Sequence, residues 1–125
     1  MTQDPISVRT TDTVKEAILL LERLDIRHLP VISENGALVG MLSDRDLRGT
    51  LGATDQSEAP PPWTRIRNVM SEEVVQALPD DELSEVADLM VNNRIGAVPI
   101  VDARGGLVGI VSYVDVLRSM IDAQP

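Results

Sequence analysis

The sequence has 125 residues, of which 43% are apolar but only 2% aromatic, so the core must consist of aliphatic side chains. The formal charge of −9 argues against DNA or RNA as a partner, because nucleic-acid binding requires a basic surface. The absence of cysteine excludes disulfides and thiolate metal sites. Since no apolar run could span a membrane and the N-terminal MTQDPISV does not resemble a signal peptide, we expect a cytoplasmic protein with no membrane partner.

The first part of the chain is predicted to alternate strands and helices. A short extended piece at Ser7–Val8 precedes a capping box at Thr13–Glu16. The apolar residues behind it, at helical spacing, predict a helix to about Leu24; they are Val14, Ala17, Ile18, Leu21 and Leu24. We then expect a strand at Leu29–Ser33, a turn at Glu34–Gly36, a strand at Ala37–Leu42 covered on both faces, and a helix from Ser43 that fades near Gly49–Gly52.

A linker follows, assigned to residues 53–64. It contains three consecutive prolines, Pro60–Pro62, which favour an extended spacer. We expect the neighbouring Trp63 to anchor this linker on the protein surface.

The second part repeats the order of the first. It begins with a predicted helical turn at Arg65–Met70 and an extended piece at Val74–Leu78. A helix is predicted to start at Pro79–Asp81, because apolar residues follow at helical spacing; they are Leu83, Val86, Ala87 and Met90. The remaining predicted elements are a strand within Ile95–Val101, a turn at Asp102–Gly106, a strand at Leu107–Val111 and a helix at Ser112–Ile121.

Pro30–Leu47 recurs 69 residues later as Pro99–Val116. Residues 26–48 match their counterparts at 8 of 23 positions without a gap. A repeat at one fixed offset predicts a tandem pair of one supersecondary unit. We therefore expect an α+β fold with two β-α-β-β-α repeats, residues 1–52 and 65–125. Because one such unit is too small to bury a sound core, the two should pack with pseudo-twofold symmetry.

The pattern of proline after the first helix, a Leu-Val-Gly return strand and Ser-x-x-Asp at the next helix resembles a cystathionine-β-synthase (CBS) domain pair, or Bateman module. The resemblance covers nearly the whole chain. Met1 aligns with Met70, so the turn at 65–69 has no counterpart in the first repeat, which leaves open whether the natural N-terminus begins here. Similar pairs bind adenosine-containing ligands in clefts between the two repeats and commonly dimerise into flat discs.

The resemblance implies two groups of ligand-binding residues. The ribose and phosphate contacts would come from Ser43, Arg45, Asp46, Ser112 and Asp115. The adenine would be lined by Arg27, His28, Pro30, Gly96, Ala97, Val98 and Pro99. One carboxylate can accept hydrogen bonds from both hydroxyls of a cis-diol, and a helix start offers N–H groups to a phosphate. The alternative for each Ser-x-x-Asp is an ordinary helix cap, and for the adenine-lining segments an ordinary loop-to-strand join.

The charges near the two candidate sites differ. Arg27, His28 and Arg45 correspond to uncharged residues in the second repeat. This difference suggests that a phosphorylated ligand binds mainly to the first repeat, although residues of both repeats can line each cleft. His28 has no second histidine or cysteine to support a metal site. The acidic clusters at 72–73 and 80–82 suit predicted turns or helix starts.

We therefore expect a regulatory module rather than an enzyme. It would sense an adenine nucleotide or another adenosyl compound as a regulatory ligand, with no cofactor and no metal, and would form a homodimer. An effector protein is not identifiable from the sequence. The alternatives are a structural dimerisation or docking module without ligand, and a regulatory fragment of a larger enzyme or transporter.

Overall fold

The computed structural model describes residues 2–3, 5–48 and 59–123. They form two compact units. The N-terminal unit comprises residues 6–48 and 59–74, and the C-terminal unit comprises residues 75–123 together with 2, 3 and 5. The expectations for residues 49–58, which include the end of the first repeat's last helix and the first part of the linker at 53–64, lie outside the described residues. The mixed helices and strands confirm the predicted α+β class.

Six strands and four helices are found in the described residues. In chain order they are β1 (Thr2–Gln3), β2 (Val8–Arg9), α1 (Val14–Leu24), β3 (His28–Ile32), β4 (Leu38–Ser43), α2 (Asp44–Arg48), α3 (Leu83–Asn93), β5 (Ala97–Val101), β6 (Leu107–Ser112) and α4 (Tyr113–Asp122), with one 3₁₀ turn at Ile66–Asn68 before α3. The predicted strands, turns and helices are thereby confirmed to within a few residues, apart from the start of α3.

Each unit contains one three-stranded sheet. In the N-terminal unit the order is β2-β3-β4, with β2 parallel and β4 antiparallel to β3. In the C-terminal unit it is β1-β6-β5, with both pairs antiparallel. Both hairpins turn through a glycine at φ 85°, Gly36 and Gly105, as their turn sequences predict. The two hairpins therefore share one geometry at the 69-residue offset.

The two compact units meet at a different place in the sequence from the two repeats. Residues 65–74 belong to the second repeat but to the N-terminal unit. Ser71 pairs with Met41 of β4 through two backbone hydrogen bonds of 2.9 and 3.0 Å. At the equivalent position Thr2 pairs with Ile110 of β6. Each sheet is therefore extended by a segment distant in sequence, which no local pattern indicates.

Gly40 allows this pairing segment to approach β4 closely. A Cβ at this position would lie 2.5 Å from Met70 Sδ and 3.1 Å from the carbonyl oxygen of Ser71. Because a backbone atom is one of the two obstacles, a larger residue would displace the segment.

Aliphatic side chains fill the core of each unit, as the composition predicts. In the N-terminal unit α1 and α2 cover the sheet with Val14, Ala17, Leu21 and Leu47. In the C-terminal unit α3 contributes Val86 and Met90. On β4 only Gly40 and Leu42 are buried, while the other four residues of the strand are half-buried. Coverage of both faces is thus confirmed, but it is unequal.

The prediction that Trp63 anchors the linker is wrong, since its side chain is 74% exposed. The segment is held by its backbone. The carbonyls of Thr64 and Pro62 accept hydrogen bonds from Val14 and Lys15 N–H, at 2.9 and 3.0 Å. The first N–H groups of a helix have no partner within it, so the start of α1 provides donors for this segment.

The predicted start of α3 at Pro79–Asp81 is also wrong. Asp81 accepts a hydrogen bond from Leu78 N–H at 2.8 Å, and its own N–H donates to Leu78 O at 3.0 Å. These bonds close a turn, and the helix begins only at Leu83. Aspartate side chains favour such turns because they bind nearby backbone N–H groups.

Candidate functional site

Both Ser-x-x-Asp motifs cap a helix. Ser43 N–H donates to Asp46 Oδ2 at 2.9 Å, and Asp46 N–H donates to Ser43 Oγ at 3.1 Å. The corresponding distances for Ser112 and Asp115 are 2.8 and 3.3 Å. This is the reciprocal arrangement of a capping box. The alternative raised by the sequence is therefore realised in both units.

Capping leaves part of each carboxylate available. The hydrogen bonds that the described residues make to Asp46 and Asp115 all end on Oδ2. The Oδ1 atoms accept none from those residues, and both side chains are half-buried. An ionised carboxylate has about four lone-pair sites. Each Asp can therefore cap its helix and still accept hydrogen bonds from a ligand.

Helix capping and strand pairing bring the predicted ribose and adenine segments together within each unit. His28 lies opposite Ser43 in the β3–β4 register, and Ala97 lies opposite Ser112 in the β5–β6 register. Asp44 N–H donates to Arg27 O at 2.9 Å. We call Arg27, His28, Ser43, Arg45 and Asp46 the first half-site, and their counterparts Gly96, Ala97, Ser112, Val114 and Asp115 the second half-site.

Three predicted site residues lie elsewhere. Pro30, Val98 and Pro99 have less than 2% of their surface exposed. They pair with Met41, Val111 and Ile110 inside the sheets. The structure thus does not bring their side chains to the surface of either half-site.

The start of each helix offers a phosphate fewer N–H groups than the sequence suggested. Asp44 N–H and the equivalent Tyr113 N–H are bound to the carbonyls of Arg27 and Gly96, each at 2.9 Å. The Asp46 and Asp115 N–H groups are bound to serine hydroxyls. Side chains must therefore supply most of the attraction for an anion.

Arg27 and Arg45 can supply that attraction in the first half-site. Both side chains are exposed, and neither guanidinium is engaged by an ion pair or hydrogen bond with another described residue. A guanidinium carries five N–H donors in a planar fork that matches phosphate geometry. The second half-site has glycine and valine at these positions.

His28 is the chain's only histidine and is half-buried in the first half-site. Burial lowers the pKa of its imidazole below the ordinary value of 6.5; the carboxylate of Asp46 opposes this shift and the guanidinium of Arg27 adds to it. Burial has the largest effect, so folding disfavours the imidazolium form of His28.

The lowered pKa of His28 predicts how stability depends on pH. The imidazole of His28 binds a proton less readily in the folded protein than in the unfolded chain. Its contribution to stability is therefore fully present above pH 6.5 and is lost as the pH falls through 6.5 towards the folded pKa, because protonation then stabilises the unfolded chain. We expect the unfolding free energy of the wild type to fall relative to that of His28→Ala over this range. Urea unfolding of both proteins at several pH values measures this difference, and a relative gain for the wild type at low pH would contradict the assignment.

Tyr113 is a candidate site residue that sequence analysis missed. It directly follows Ser112, its side chain is 58% exposed, and its N–H binds Gly96 O. An exposed aromatic ring here can stack on a planar base. The sequence alone could have indicated this residue, because Tyr113 is the only tyrosine in the chain and aligns with Asp44, next to the Ser-x-x-Asp serine, in the first repeat.

Neither a metal site nor a membrane span is found in residues 2–3, 5–48 and 59–123. No three histidine or acidic side chains there are placed to hold a metal ion. Likewise, none of the helices in these segments has the length and apolar character needed to cross a bilayer.

The CBS domain family model matches residues 1–52 and 66–122. This chain belongs to the CBS domain family. The CBS domain pair of protein MJ0100, solved with 5′-methylthioadenosine and S-adenosyl-L-methionine, superposes with a TM-score of 0.84 at 28% identity and covers 99% of this chain and 94% of that one. CBSX2 solved with AMP gives a TM-score of 0.81 at 26% identity, with coverage of 98% and 93%.

Several similar curated proteins are much longer than this chain. Inosine-5′-monophosphate dehydrogenase of Methanocaldococcus jannaschii is 35% identical over 116 residues, which are 93% of this chain but 22% of the relative. The chain thus spans about a fifth of the length of that relative.

Proposed function

We propose that this CBS pair is a regulatory module that binds an adenine nucleotide or another adenosyl compound and does no catalysis itself. The observation that carries the proposal is that Oδ1 of Asp46 and of Asp115 accepts no hydrogen bond from the described residues, while Oδ2 is held by a capping box. The adenosyl ligands of MJ0100 and CBSX2 support the choice of ligand class.

The chemistry of the half-sites fits such a ligand. The cis-diol of a ribose has two donors, which suit a carboxylate that is held in place by a hydrogen bond from the backbone N–H of Ser43 or Ser112. The capping box fixes this geometry before the ligand arrives, so little side-chain entropy is lost on binding. The adjoining Gly96 has no side chain to block a base that approaches the backbone.

A thermal-shift screen with AMP, ADP, ATP, adenosine and S-adenosylmethionine tests the proposal. A ligand that binds only the folded state at 100 times its Kd stabilises it by about 2.7 kcal/mol. We expect at least one of these compounds to raise the melting temperature. No response to any of them would instead favour a structural module.

The exposed face of α4 favours self-association as a second property. Five large apolar residues lie within about a third of the helix circumference, given 3.6 residues per turn; they are Tyr113, Val114, Leu117, Met120 and Ile121. Arg118 and Asp122, which carry opposite charges, both lie on one side of this stripe. Exposed apolar stripes with polar rims are typical of interaction surfaces, and we propose a second copy of the chain as the partner.

Leu117→Glu is expected to convert a dimer into a monomer, because a carboxylate would be buried in an apolar contact. Light scattering after size-exclusion chromatography measures the mass. Leu19→Glu is the matched control, since Leu19 and Leu117 are 51% and 52% exposed in different units. Equal effects of the two variants would contradict the assignment to α4.

A regulatory role within a larger enzyme is the other candidate, favoured by the small share of the dehydrogenase that the CBS pair covers. Whether the chain acts alone or within a larger enzyme, we propose a cytoplasmic location and an effector protein that responds to the ligand.

A further inference from the structure

The two half-sites have the same backbone but different side chains. The bonds of Asp44 N–H to Arg27 O and of Tyr113 N–H to Gly96 O are both 2.9 Å. The two reciprocal bonds of one capping box correspond to those of the other, and the second box adds a hydrogen bond of 3.2 Å from Ser112 Oγ to Asp115 Oδ2. A ligand would therefore meet one framework carrying two sets of side chains, and side-chain chemistry must decide any difference in ligand choice.

The difference in side chains concerns charge. The first half-site adds two exposed guanidiniums and an imidazole to its carboxylate, whereas the second adds glycine, alanine and valine to Asp115. A phosphate near Asp115 would be repelled by the carboxylate with no cation of its own half-site to offset that repulsion. A phosphate near Asp46 would meet Arg27 and Arg45.

His28 lies where the charge of a ligand can change its protonation. It is paired with Ser43 across the β3–β4 ladder, and Asp46 is close enough to act on it electrostatically. Among the charged residues of the neighbouring elements, Arg27 directly before β3 and Asp46 on α2 are the two that shift the pKa of His28, and its partner on β4, Ser43, is uncharged. The others are Arg9 on β2, Lys15, Glu16, Glu22 and Arg23 on α1, and Asp44, Arg45 and Arg48 on α2. A phosphate bound here would add negative charge next to His28 and favour its protonated form.

We propose that the first half-site selects phosphorylated over unphosphorylated adenosyl ligands, with Arg27 and Arg45 as the phosphate contacts, and that His28 takes up a proton when such a ligand binds. The second half-site accepts adenosyl ligands without a requirement for phosphate. This inference rests on the proposed function and adds the ligand class of each half-site.

The sign of the proton linkage follows from two opposing effects. Any ligand that covers His28 removes water and disfavours the imidazolium, while a phosphate dianion nearby favours it. When AMP binds, its phosphate raises the pKa of His28 and opposes the lowering caused by burial. When adenosine binds, burial alone acts on this pKa. AMP should therefore bind more tightly as pH falls from about 8 to about 6, and adenosine should not.

Isothermal titration calorimetry with AMP and adenosine tests the ligand choice. Asp115→Asn weakens binding at the second half-site, so this variant reports on the first half-site. Asp46→Asn weakens binding at the first half-site and reports on the second. In the Asp115→Asn variant we expect AMP to bind about tenfold or more tightly than adenosine, as for a charge-assisted hydrogen bond. The triple variant Arg27→Gly, His28→Ala, Arg45→Val, which installs the residues of the second repeat, should remove that preference by weakening AMP binding more than adenosine binding.

The proton uptake is measured separately. Titrating AMP into the Asp115→Asn variant in buffers of different ionisation enthalpy gives the number of protons bound. The single histidine also gives one imidazole signal by NMR, whose pKa should rise with AMP and not with adenosine. His28→Ala should lose the proton uptake, and comparison with it subtracts the titration of the phosphate itself, whose second pKa is about 6. Arg67→Gly, an exposed arginine of the same unit outside the half-site, is the control for general charge effects.

The outcomes separate the two proposals. If none of AMP, ADP, ATP, adenosine and S-adenosylmethionine binds the wild type, the proposed function fails and the inference fails with it. If only S-adenosylmethionine binds, the inference alone is overturned. If AMP and adenosine bind with equal affinity, or the triple variant keeps its preference for AMP, the inference alone is overturned. A preference for AMP without proton uptake would overturn the role of His28.

Discussion

Replacing Asp46 by asparagine is expected to weaken ligand binding at the first half-site by about tenfold to a hundredfold, as for loss of a charge-assisted hydrogen bond of about 1.5–3 kcal/mol. The variant keeps one side-chain oxygen, which can still accept the hydrogen bond from Ser43 N–H. The position of Oδ1 is then taken by an amide that donates and cannot accept from a ribose hydroxyl. Calorimetry against the best ligand of the thermal-shift screen measures the loss.

Asparagine distinguishes binding from capping. Because the cap is retained, Asp46→Asn should lower the unfolding free energy by no more than about 1 kcal/mol, the size of a charge–dipole interaction at a helix start. Asp46→Ala removes the cap as well and serves as the comparison. Asp115→Asn is the matched change in the C-terminal unit. If Asp46→Asn binds like the wild type, the carboxylate is only a helix cap.

Truncation of Leu47 is expected to have the largest effect on stability. Leu47 is 1% exposed and joins α2 to the core of the N-terminal unit. Leu47→Ala should cost about 2–5 kcal/mol, as for buried leucines elsewhere. Because Leu47 packs α2 against the core of its unit, the variant should also weaken the ligand response of the first half-site. Urea unfolding and the thermal-shift screen measure the two effects.

Leu19→Ala is the control for this truncation, because Leu19 lies on α1 of the same unit but is 51% exposed. It should change stability by less than about 0.5 kcal/mol. If ligand binding survives in Leu47→Ala while stability falls, the first half-site does not depend on the packing of α2.

Much of the fold could be predicted because local chemistry and the repeat agree. The periodic apolar residues of α1, the glycines of both hairpins and the capping serines each act within a few residues of sequence. The 69-residue offset then links the two copies and marks Ser43–Asp46 and Ser112–Asp115 as a matched pair. It also showed from sequence that the two candidate sites differ in charge.

Other features depend on contacts between segments distant in sequence. No local pattern shows that Ser71 pairs with Met41, or that backbone carbonyls rather than Trp63 hold the end of the linker. The burial of Pro30 and Pro99 follows from their places inside the sheets. Strand pairing and burial are settled only when the whole unit packs, so the tertiary structure had to decide them.

The sequence by itself therefore determined the repeat, the α+β class and the residue types at each half-site. The tertiary structure decided which atoms remain available: it assigned Oδ2 of each aspartate to a helix cap and most helix-start N–H groups to nearby acceptors. It also placed His28 beside Asp46. Which donor pairs with which acceptor depends on their distances in the folded structure, and residue identity and spacing do not specify those distances.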